Sequence, residues 1–288
     1  MANTVLVSLV SMGTVGALFG AGLAWASRKF AVESDARVDD IEEILPGANC
    51  GACGYPGCRG FAEAVVAGAV PCDGCPVSSS EAAALIGEVM GVTIDSNSER
   101  LVAIVHCGGG HKEAKEKADY VGITDCRAAA IVSDGSKGCE YGCLGLASCV
   151  KACPFDAMSM GPNGLPIVDE DKCTACGLCV AACPRDLISL APVNKVVHVL
   201  CRSFGRGREV RGNCTVGCIG CRACERACEF DAIHVTDFLA EINYANCTNC
   251  GECVAKCPTN SIIIQGDQVT VAVEQTVSEQ ISEGARAN

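Results

Sequence analysis

The chain has 288 residues, a net charge of −12 and 25 cysteines, and only 4% of its residues are aromatic. The acidic balance argues against a nucleic-acid-binding protein, which usually carries a basic face. So many cysteines indicate either disulfide bonds or metal binding, and the scarcity of aromatic residues suggests that metal sites replace part of a conventional core.

The first segment is apolar enough to cross a membrane. Residues 1–27 contain no charged side chain, and the apolar run has about the 20 residues that a membrane-spanning helix needs. A cleaved signal peptide is not favoured, because no basic residue precedes the run. Arg28 and Lys29 follow it directly, so the positive-inside rule predicts a single-pass anchor (residues 1–30, with 4–27 in the membrane) and a cytoplasmic remainder. A buried helix of a soluble protein is the alternative.

Residues 31–95 are predicted to form a small helical domain. Val38, Ile41 and Leu45 fall on one face of a short helix, and residues 61–69 form a second helical pattern. Residues 78–81 match a capping box, in which a serine hydroxyl and a glutamate three positions later cap a helix start. That third helix is expected to end near residue 90, and residues 96–100 are expected to form a linker.

One group of cysteines lies within this domain. Cys50, Cys53 and Cys58 are separated by glycine-rich spacers, which let the backbone wrap closely around a [4Fe–4S] cluster. The fourth ligand is expected from further along the chain. Cys75 is preferred over Cys72 because a proline follows it, as often happens after the last ligand of a cluster.

The rest of the chain is an internal duplication. The first copy is assigned to residues 96–195 and the second to residues 196–270, with a loose tail at 271–288. The sequence G-C-L-G at 142–145 matches G-C-I-G at 217–220, and short apolar segments in each copy predict a hairpin. These features predict an α+β fold with two tandem ferredoxin-like modules of the βαββαβ type.

The second copy contains two runs of the C-x2-C-x2-C-x3-C spacing that is typical of bacterial two-cluster ferredoxins. In such proteins the fourth cysteine of each run binds the other cluster. The predicted ligand sets are therefore Cys218, Cys221, Cys224 and Cys257 for one cluster, and Cys247, Cys250, Cys253 and Cys228 for the other. Structural zinc sites also use C-x2-C pairs, but two runs of four cysteines favour clusters over zinc.

The first copy departs from this pattern because Leu146 stands where the second copy has Cys221. One complete set remains: Cys153, Cys173, Cys176 and Cys179. A second set has Cys143, Cys149 and Cys183, with Cys139 as the nearest candidate for the missing ligand. These sets and the N-terminal one predict five clusters. The remaining Cys107, Cys126, Cys201 and Cys214 would hold a sixth cluster between the copies, or they are inert buried thiols.

A local cluster of positive charge lies in the second copy, opposed only by Glu209 and Glu225. Its residues are Lys195, Arg202, Arg206, Arg208, Arg211, Arg222 and Arg226. Such a cluster would steer an acidic redox partner by electrostatic attraction. A solvated loop, or cations that raise the potential of a cluster, are the alternatives.

The sequence lacks the usual signs of other cofactors and of substrate chemistry. No G-x-G-x-x-G follows a predicted strand, so no NAD or flavin site is expected in this chain. The four histidines, His106, His111, His198 and His234, have no ligand spacing and are expected to be surface or structural residues. No catalytic nucleophile and base are expected.

The order of a membrane helix, the motif C-G-A-C-G-Y-P-G-C at 50–58 and two ferredoxin modules resembles the B subunits of Rnf complexes, the ion-translocating ferredoxin:NAD oxidoreductases. The duplication is similar to the longer, clostridial form of this family. The resemblance implies that electrons enter from reduced ferredoxin, pass through about six [4Fe–4S] clusters, and leave near residues 50–75 to the membrane subunits. NAD would bind another subunit.

Two other functions remain possible from the sequence alone. The motif at 50–58 also occurs in iron–sulfur proteins of corrinoid and acetyl-CoA pathways, so a stand-alone reductase or activator of a corrinoid protein, using the region from Cys50 to Cys75, is the first alternative. A zinc-bearing structural scaffold is the second. Turnover by the isolated chain would distinguish the first alternative, and metal analysis would distinguish the second.

Overall fold

The computed structural model describes residues 2–29, 35–94 and 99–265. Residues 96–98 of the predicted linker and the whole predicted tail at 271–288 lie outside these ranges.

The first element, α1 (Ala2–Lys29), is one long helix. From Val10 to Lys29 it is long and apolar enough to cross a membrane, and none of it is buried against the rest of the protein. By length and composition, α1 therefore agrees with the predicted anchor.

The next unit consists of three short helices, which are α2 (Ala36–Ile44), α3 (Gly57–Val66) and α4 (Ser80–Met90). The expected apolar face of α2 is confirmed, because Val38, Ile41 and Leu45 are all buried. They pack against Phe61 of α3 and Ile86 of α4. This small core holds the two loops that carry the N-terminal cysteines.

The predicted start of α4 is wrong by one residue. The capping hydroxyl is that of Ser79, which accepts a hydrogen bond of 3.1 Å from the amide of Ala82. Three consecutive serines offer equivalent caps at this point, so local sequence does not decide between them. The burial of Ala83 and Ile86 against the other helices sets the register. The helix ends at Gly91, whose φ of 70° is typical of a C-terminal cap.

The first copy of the duplication contains four strands and three helices. They are β1 (Leu101–Val105), α5 (Cys126–Ile131), α6 (Ser148–Lys151), β2 (Met158–Met160), β3 (Pro166–Val168), α7 (Leu178–Ala182) and β4 (Ile188–Pro192). Its first and last strands pair antiparallel, with Leu101 opposite Pro192. The predicted hairpin is confirmed, since β2 pairs with β3 and Met158 lies opposite Val168.

The second copy repeats this order of elements. They are β5 (Val197–Val199), α8 (Gly207–Asn213), α9 (Ala223–Ala227), β6 (Ile233–Thr236), β7 (Leu239–Ile242), α10 (Glu252–Ala255) and β8 (Ile262–Ile264). The end strands pair with Val197 opposite Ile264, and the hairpin pairs Ile233 with Ile242. The expected mixture of helices and strands is confirmed in both copies.

Cysteines form part of the core of each copy. In the first copy, Cys149 and Cys179 are buried together with Met158. In the second copy, Cys218 and Cys224 are buried among aliphatic side chains from the four strands. Short elements that could not bury much apolar surface alone are therefore arranged around sulfur atoms.

The two copies are joined by the segment that follows β1. His106 is buried, and its two ring nitrogens contact the carbonyl oxygen of Val199 at 2.8 Å and the hydroxyl of Ser189 at 2.6 Å. Further along, the amide of Gly108 donates to the carbonyl of Leu200 at 2.9 Å. This segment therefore lies between the copies and is hydrogen-bonded to the second. His198 is also buried and contacts a tyrosine hydroxyl, whereas His111 and His234 are exposed.

Replacing Phe61 by alanine is expected to destabilise the three-helix unit by about 3–5 kcal/mol, because it leaves a cavity where a side chain only 1% exposed now packs. Hydrogen exchange of the amides in α2, α3 and α4 would measure this loss. The control is Leu85→Ala, since Leu85 on the same unit is 44% exposed and is expected to change stability by less than about 0.5 kcal/mol. Equal protection in both variants would contradict this packing.

Candidate iron–sulfur centres

Four cysteines of the N-terminal unit line one pocket. They are Cys50, Cys53, Cys58 and Cys75, and the pocket, including its mouth, has a volume of about 310 Å³. Burial raises the pKa of the Cys75 thiol, and the nearby thiols of Cys53 and Cys50 add to the shift. Cys72 does not line this pocket. The structure thus brings Cys75, the preferred residue, to the other three.

A tight backbone turn makes this grouping possible. The side-chain oxygen of Asn49 accepts a hydrogen bond of 2.8 Å from the amide of Cys58. A Cβ atom at Gly57 would lie only 2.7 Å from that oxygen, and Gly57 has a φ of 87°. Only glycine fits this position without moving Asn49. The close contact and the positive φ therefore explain why this spacer contains a glycine at position 57.

The second copy places its eight cysteines in two pockets. One, of about 290 Å³, is lined by Cys218, Cys221, Cys224 and Cys257. The other, of about 350 Å³, is lined by Cys228, Cys247, Cys250 and Cys253. These are the two crossed sets that the sequence spacing predicts. In the first copy, a pocket of about 320 Å³ is lined by the predicted set Cys153, Cys173, Cys176 and Cys179.

The loops around these pockets share one backbone conformation. One residue in each of the four loops is left-handed, two positions before a buried or partly buried cysteine. These residues are Ala147, Gly177, Arg222 and Gly251, with φ between 58° and 77°. Left-handed residues next to right-handed ones turn successive N–H groups towards a common point and so favour an anion, as in many iron–sulfur sites. The loops therefore fit a negatively charged cluster.

Hydrogen bonds also reach individual sulfur atoms. The amide of Ala232 donates to Cys228 Sγ at 3.4 Å, and the hydroxyl of Ser261 lies 3.3 Å from Cys257 Sγ. Burial acts to raise the pKa of Cys257, but the bonds from Ser261 and Thr259 outweigh it and leave the pKa below its usual value. These bonds stabilise the thiolate, which is the form that binds iron.

A pocket between the copies groups the cysteines differently from the sequence expectation. Its volume, including its mouth, is about 620 Å³, and its four cysteines are Cys107, Cys139, Cys201 and Cys214. The cysteine spacing predicts Cys126 in this group and Cys139 with Cys143, Cys149 and Cys183. In the structure Cys139, not Cys126, lines this pocket. The duplication alone does not indicate this, because Cys126 is equivalent to Cys201 just as Cys139 is equivalent to Cys214.

Cys126 lies instead beside Cys149. The hydroxyl of Ser148, next to Cys149, accepts a hydrogen bond of 2.8 Å from the amide of Cys126 and donates to Asp125 at 3.1 Å. This holds the start of α5 against the start of α6. Burial, followed by the nearby Cys126 thiol, raises the pKa of Cys149 to about 11, and Cys183 adds to the shift.

Cys143 completes this second group. Burial raises the pKa of Cys143 to about 12, with smaller contributions from Cys107 and Cys149. The group of Cys126, Cys143, Cys149 and Cys183 therefore gathers around Cys149 and borders the pocket of Cys107. Within residues 2–29, 35–94 and 99–265, no three His, Cys, Asp or Glu side chains converge closely enough to hold a single metal ion. The cysteines therefore line pockets and do not converge on a single-metal site.

Family models match three parts of the chain. A model described as a putative Fe–S cluster matches residues 45–77, a 4Fe-4S binding domain matches residues 166–189, and a 4Fe-4S dicluster domain matches residues 217–261. These segments cover three of the cysteine groups in full and two in part. The matches indicate that the chain binds [4Fe–4S] clusters.

Three relatives match almost the whole chain. The B subunit of an ion-translocating oxidoreductase complex from Methanosarcina acetivorans is 46% identical over 91% of this chain and 99% of the relative. The B subunit of a Na⁺-translocating ferredoxin:NAD⁺ oxidoreductase complex from Acetobacterium woodii is 47% identical over 91% of this chain and 78% of the relative. The B subunit of a proton-translocating ferredoxin:NAD⁺ oxidoreductase complex from Clostridium ljungdahlii is 44% identical, over 90% and 92%.

The chain belongs to the family of Rnf B subunits. As a member of the Rnf B family, it is an iron–sulfur electron-transfer subunit of an oxidoreductase complex. The helix α1 and this membership together indicate membrane association. A function as a corrinoid activator is not favoured, because relatives that match nine-tenths of the chain are subunits of ion-translocating complexes.

Replacing Cys75 by alanine is expected to remove about four iron and four sulfide per chain, since one cubane loses a ligand. The matched control is Cys72→Ala, three residues away, which is expected to keep the full iron content. Iron and acid-labile sulfide analysis of anaerobically purified protein would measure both. Loss of iron in the Cys72 variant, with none in the Cys75 variant, would reverse the assignment.

Proposed function

We propose that this chain is a membrane-anchored relay that accepts electrons from reduced ferredoxin and passes them to membrane subunits of an Rnf-type complex through six [4Fe–4S] clusters. The observation that carries this proposal is the arrangement of the cysteines, because 24 of the 25 fall into six groups of four. When bound, each cluster would carry one electron with little rearrangement. The names of two relatives support ferredoxin and NAD as the ends of the pathway.

The proposed ligands are the six sets given above, with Cys126 completing the set of Cys149 and with Cys139 in the set of Cys107. All four donors in each set are thiols, which suit both iron–sulfur clusters and zinc. Among the described residues no three of them converge closely enough to hold a single ion, and this supports clusters over zinc. The architecture that we propose is an anchor (1–30), an N-terminal domain (31–95), two ferredoxin-like modules (96–195 and 196–270) and a tail (271–288). The element order of the two copies supports the modules.

We infer the order of the six groups from the cysteines that are neighbours between one group and the next. Starting in the second copy, the group of Cys247 shares the two-cluster loops with the group of Cys218. Burial raises the pKa of Cys201 to about 12, and nearby Cys218 adds to the shift, so the pocket between the copies comes next. The hydrogen bond of 3.4 Å from the amide of Cys143 to Cys107 Sγ then leads from that pocket into the group of Cys149.

The order continues to the N-terminal domain. Burial raises the pKa of Cys179 to about 12, and Cys149 is among the neighbouring thiols that add to the shift. Burial likewise raises the pKa of Cys176, and one of the thiols that add to it is Cys50 of the N-terminal domain. We infer that electrons travel from the second copy through the first and leave through the group of Cys50.

The basic end of α1 supports a cytoplasmic location for the clusters. Arg28 and Lys29 form its last turn, and the ammonium of Lys29 lies 5.1 Å from the ring centroid of Trp25. A tryptophan and a lysine together are typical of the boundary between lipid and water. We infer that residues 4–27 span the membrane and that all six clusters lie on its cytoplasmic side.

Metal analysis tests the relay directly. Anaerobically purified protein is expected to contain about 24 iron and about 24 acid-labile sulfide per chain, four of each per cubane, and no stoichiometric zinc. About 20 of each would remove one cluster from the relay and leave four thiols with a structural role. Zinc without sulfide would contradict electron transfer altogether.

A candidate surface for ferredoxin lies beside the pocket between the copies. Arg206, Arg208 and Arg211 are exposed on and next to α8, and none takes part in an ion pair within the described part of the chain. Two residues of the same helix, Val210 and Asn213, line the pocket. The other predicted basic residues are partly engaged: Lys195 donates to the carbonyl of Cys247 at 2.6 Å and Arg202 pairs with Glu241 at 3.0 Å.

The double change Arg206→Glu with Arg208→Glu is expected to slow oxidation of reduced ferredoxin, more strongly at low salt, because exposed charges attract over longer distances there. Stopped-flow absorbance of the isolated chain would measure the rate, and no NAD reduction is expected from this chain alone. The control, Arg206→Lys with Arg208→Lys, keeps the charge and is expected to keep the rate. An unchanged rate for the glutamate variant at low ionic strength would exclude this docking surface.

A further inference from the structure

Lys137 is buried in the interior of the protein. Only 3% of it is exposed, and no other lysine, arginine, aspartate or glutamate within residues 2–29, 35–94 and 99–265 is buried. Removing an ammonium group from water costs several kcal/mol unless an anion and good hydrogen bonds compensate for it. An isolated buried cation therefore requires a negative group nearby.

The protein provides only a partial partner for this ammonium. Its Nζ donates a hydrogen bond of 2.6 Å to the carbonyl oxygen of Gly109, and no ion pair among the described residues includes it. A carbonyl satisfies one of its three donors but carries no net charge. The compensating anion is thus missing from the protein's own side chains in this region.

Two cysteine groups lie near Lys137. A Cβ atom at Gly109 would lie 3.2 Å from Cys214 Sγ and 3.9 Å from Cys107 Sγ, so the carbonyl that binds Lys137 belongs to the wall of the pocket between the copies. The fourth group adjoins the same wall, because the amide of Cys143 donates to Cys107 Sγ at 3.4 Å. The ammonium therefore lies near the point where the third and fourth cysteine groups of the proposed relay meet.

Other charges near this pocket are differently placed. Glu140 and Glu209 line it but are exposed, so water screens them strongly. Arg202 also lines it and is paired with Glu241 at 3.0 Å. Two further charges are partly buried: Arg185 donates to the carbonyl oxygens of Cys139 and Gly142, and Glu113 accepts a hydrogen bond of 2.7 Å from Asn163. Lys137 is more deeply buried than either, and water screens it least.

The duplication provides an internal comparison. Cys139 and Cys143 correspond to Cys214 and Cys218, so the position equivalent to Lys137 is Gly212. The buried cation is therefore confined to the copy in which Leu146 replaces a cluster ligand. The two copies differ in charge as well as in ligands.

We propose that the Lys137 ammonium is the shared counter-charge of the two clusters that meet near it, one held by Cys107, Cys139, Cys201 and Cys214 and the other by Cys126, Cys143, Cys149 and Cys183. This inference rests on the proposed six-cluster relay. A thiolate-bound cluster is anionic and gains a further negative charge on reduction, so a fixed cation in a low dielectric favours the reduced form. These two clusters then have higher potentials than they would have without it, and electrons remain longest in the middle of the relay.

The test compares Lys137→Gln with Lys137→Arg in the full-length, cluster-loaded protein, using a redox titration followed by electron paramagnetic resonance and iron analysis. In the glutamine variant, one or two clusters are expected to become at least tenfold harder to reduce, which equals a shift of about 59 mV for a one-electron couple. The other clusters are expected to be unchanged. The arginine variant keeps the charge and is expected to keep the wild-type potentials, as is Lys112→Gln, because Lys112 is exposed.

The possible outcomes separate this inference from the function on which it rests. Unchanged potentials in fully loaded Lys137→Gln protein would overturn the counter-charge alone and leave the relay intact. Loss of iron from the glutamine variant but not from the arginine variant would support it, because charge rather than packing would then be required. Equal iron loss from both variants would indicate a packing role and overturn it. Wild-type protein without these two clusters would overturn the six-cluster assignment together with the inference.

Discussion

The bond between a thiolate and iron is the interaction on which the rest of this structure depends. The two copies consist of strands of three to five residues and helices of four to seven, too short to be stable from hydrophobic burial alone. Each cluster would join loops that are far apart in sequence, such as those of Cys107 and Cys214. Metal binding and folding are coupled in such small domains. Cluster ligation would therefore both carry the electrons and hold the fold together.

Much of this arrangement could be predicted from sequence, because it is local. The spacing of the two runs in the second copy predicts the crossed sets of Cys218 and Cys247, and short apolar segments predict the hairpin of Met158 and Val168. The preference for Cys75 also came from a local feature, the proline that follows it. In each case, a short sequence pattern is enough to make the prediction.

What could not be predicted depends on contacts between distant segments. The amide of Cys126 donates to the hydroxyl of Ser148, 22 residues further along the chain, and this bond holds Cys126 beside Cys149. Distance along the chain favours Cys139 as the nearest ligand and gives no sign of this contact. The burial of Lys137 is equally invisible in sequence, because a lysine in a loop is normally exposed. Its environment exists only once the segment containing Gly109 lies against it.

The raised thiol pKa values have a consequence for loading the folded protein with iron. Burial raises the pKa of Cys143, Cys179, Cys201 and Cys224 to about 12, and the thiolate is the form that binds iron. Rebuilding a cluster in the folded protein must therefore release protons from these thiols, so reconstitution with iron and sulfide is expected to slow as the pH falls.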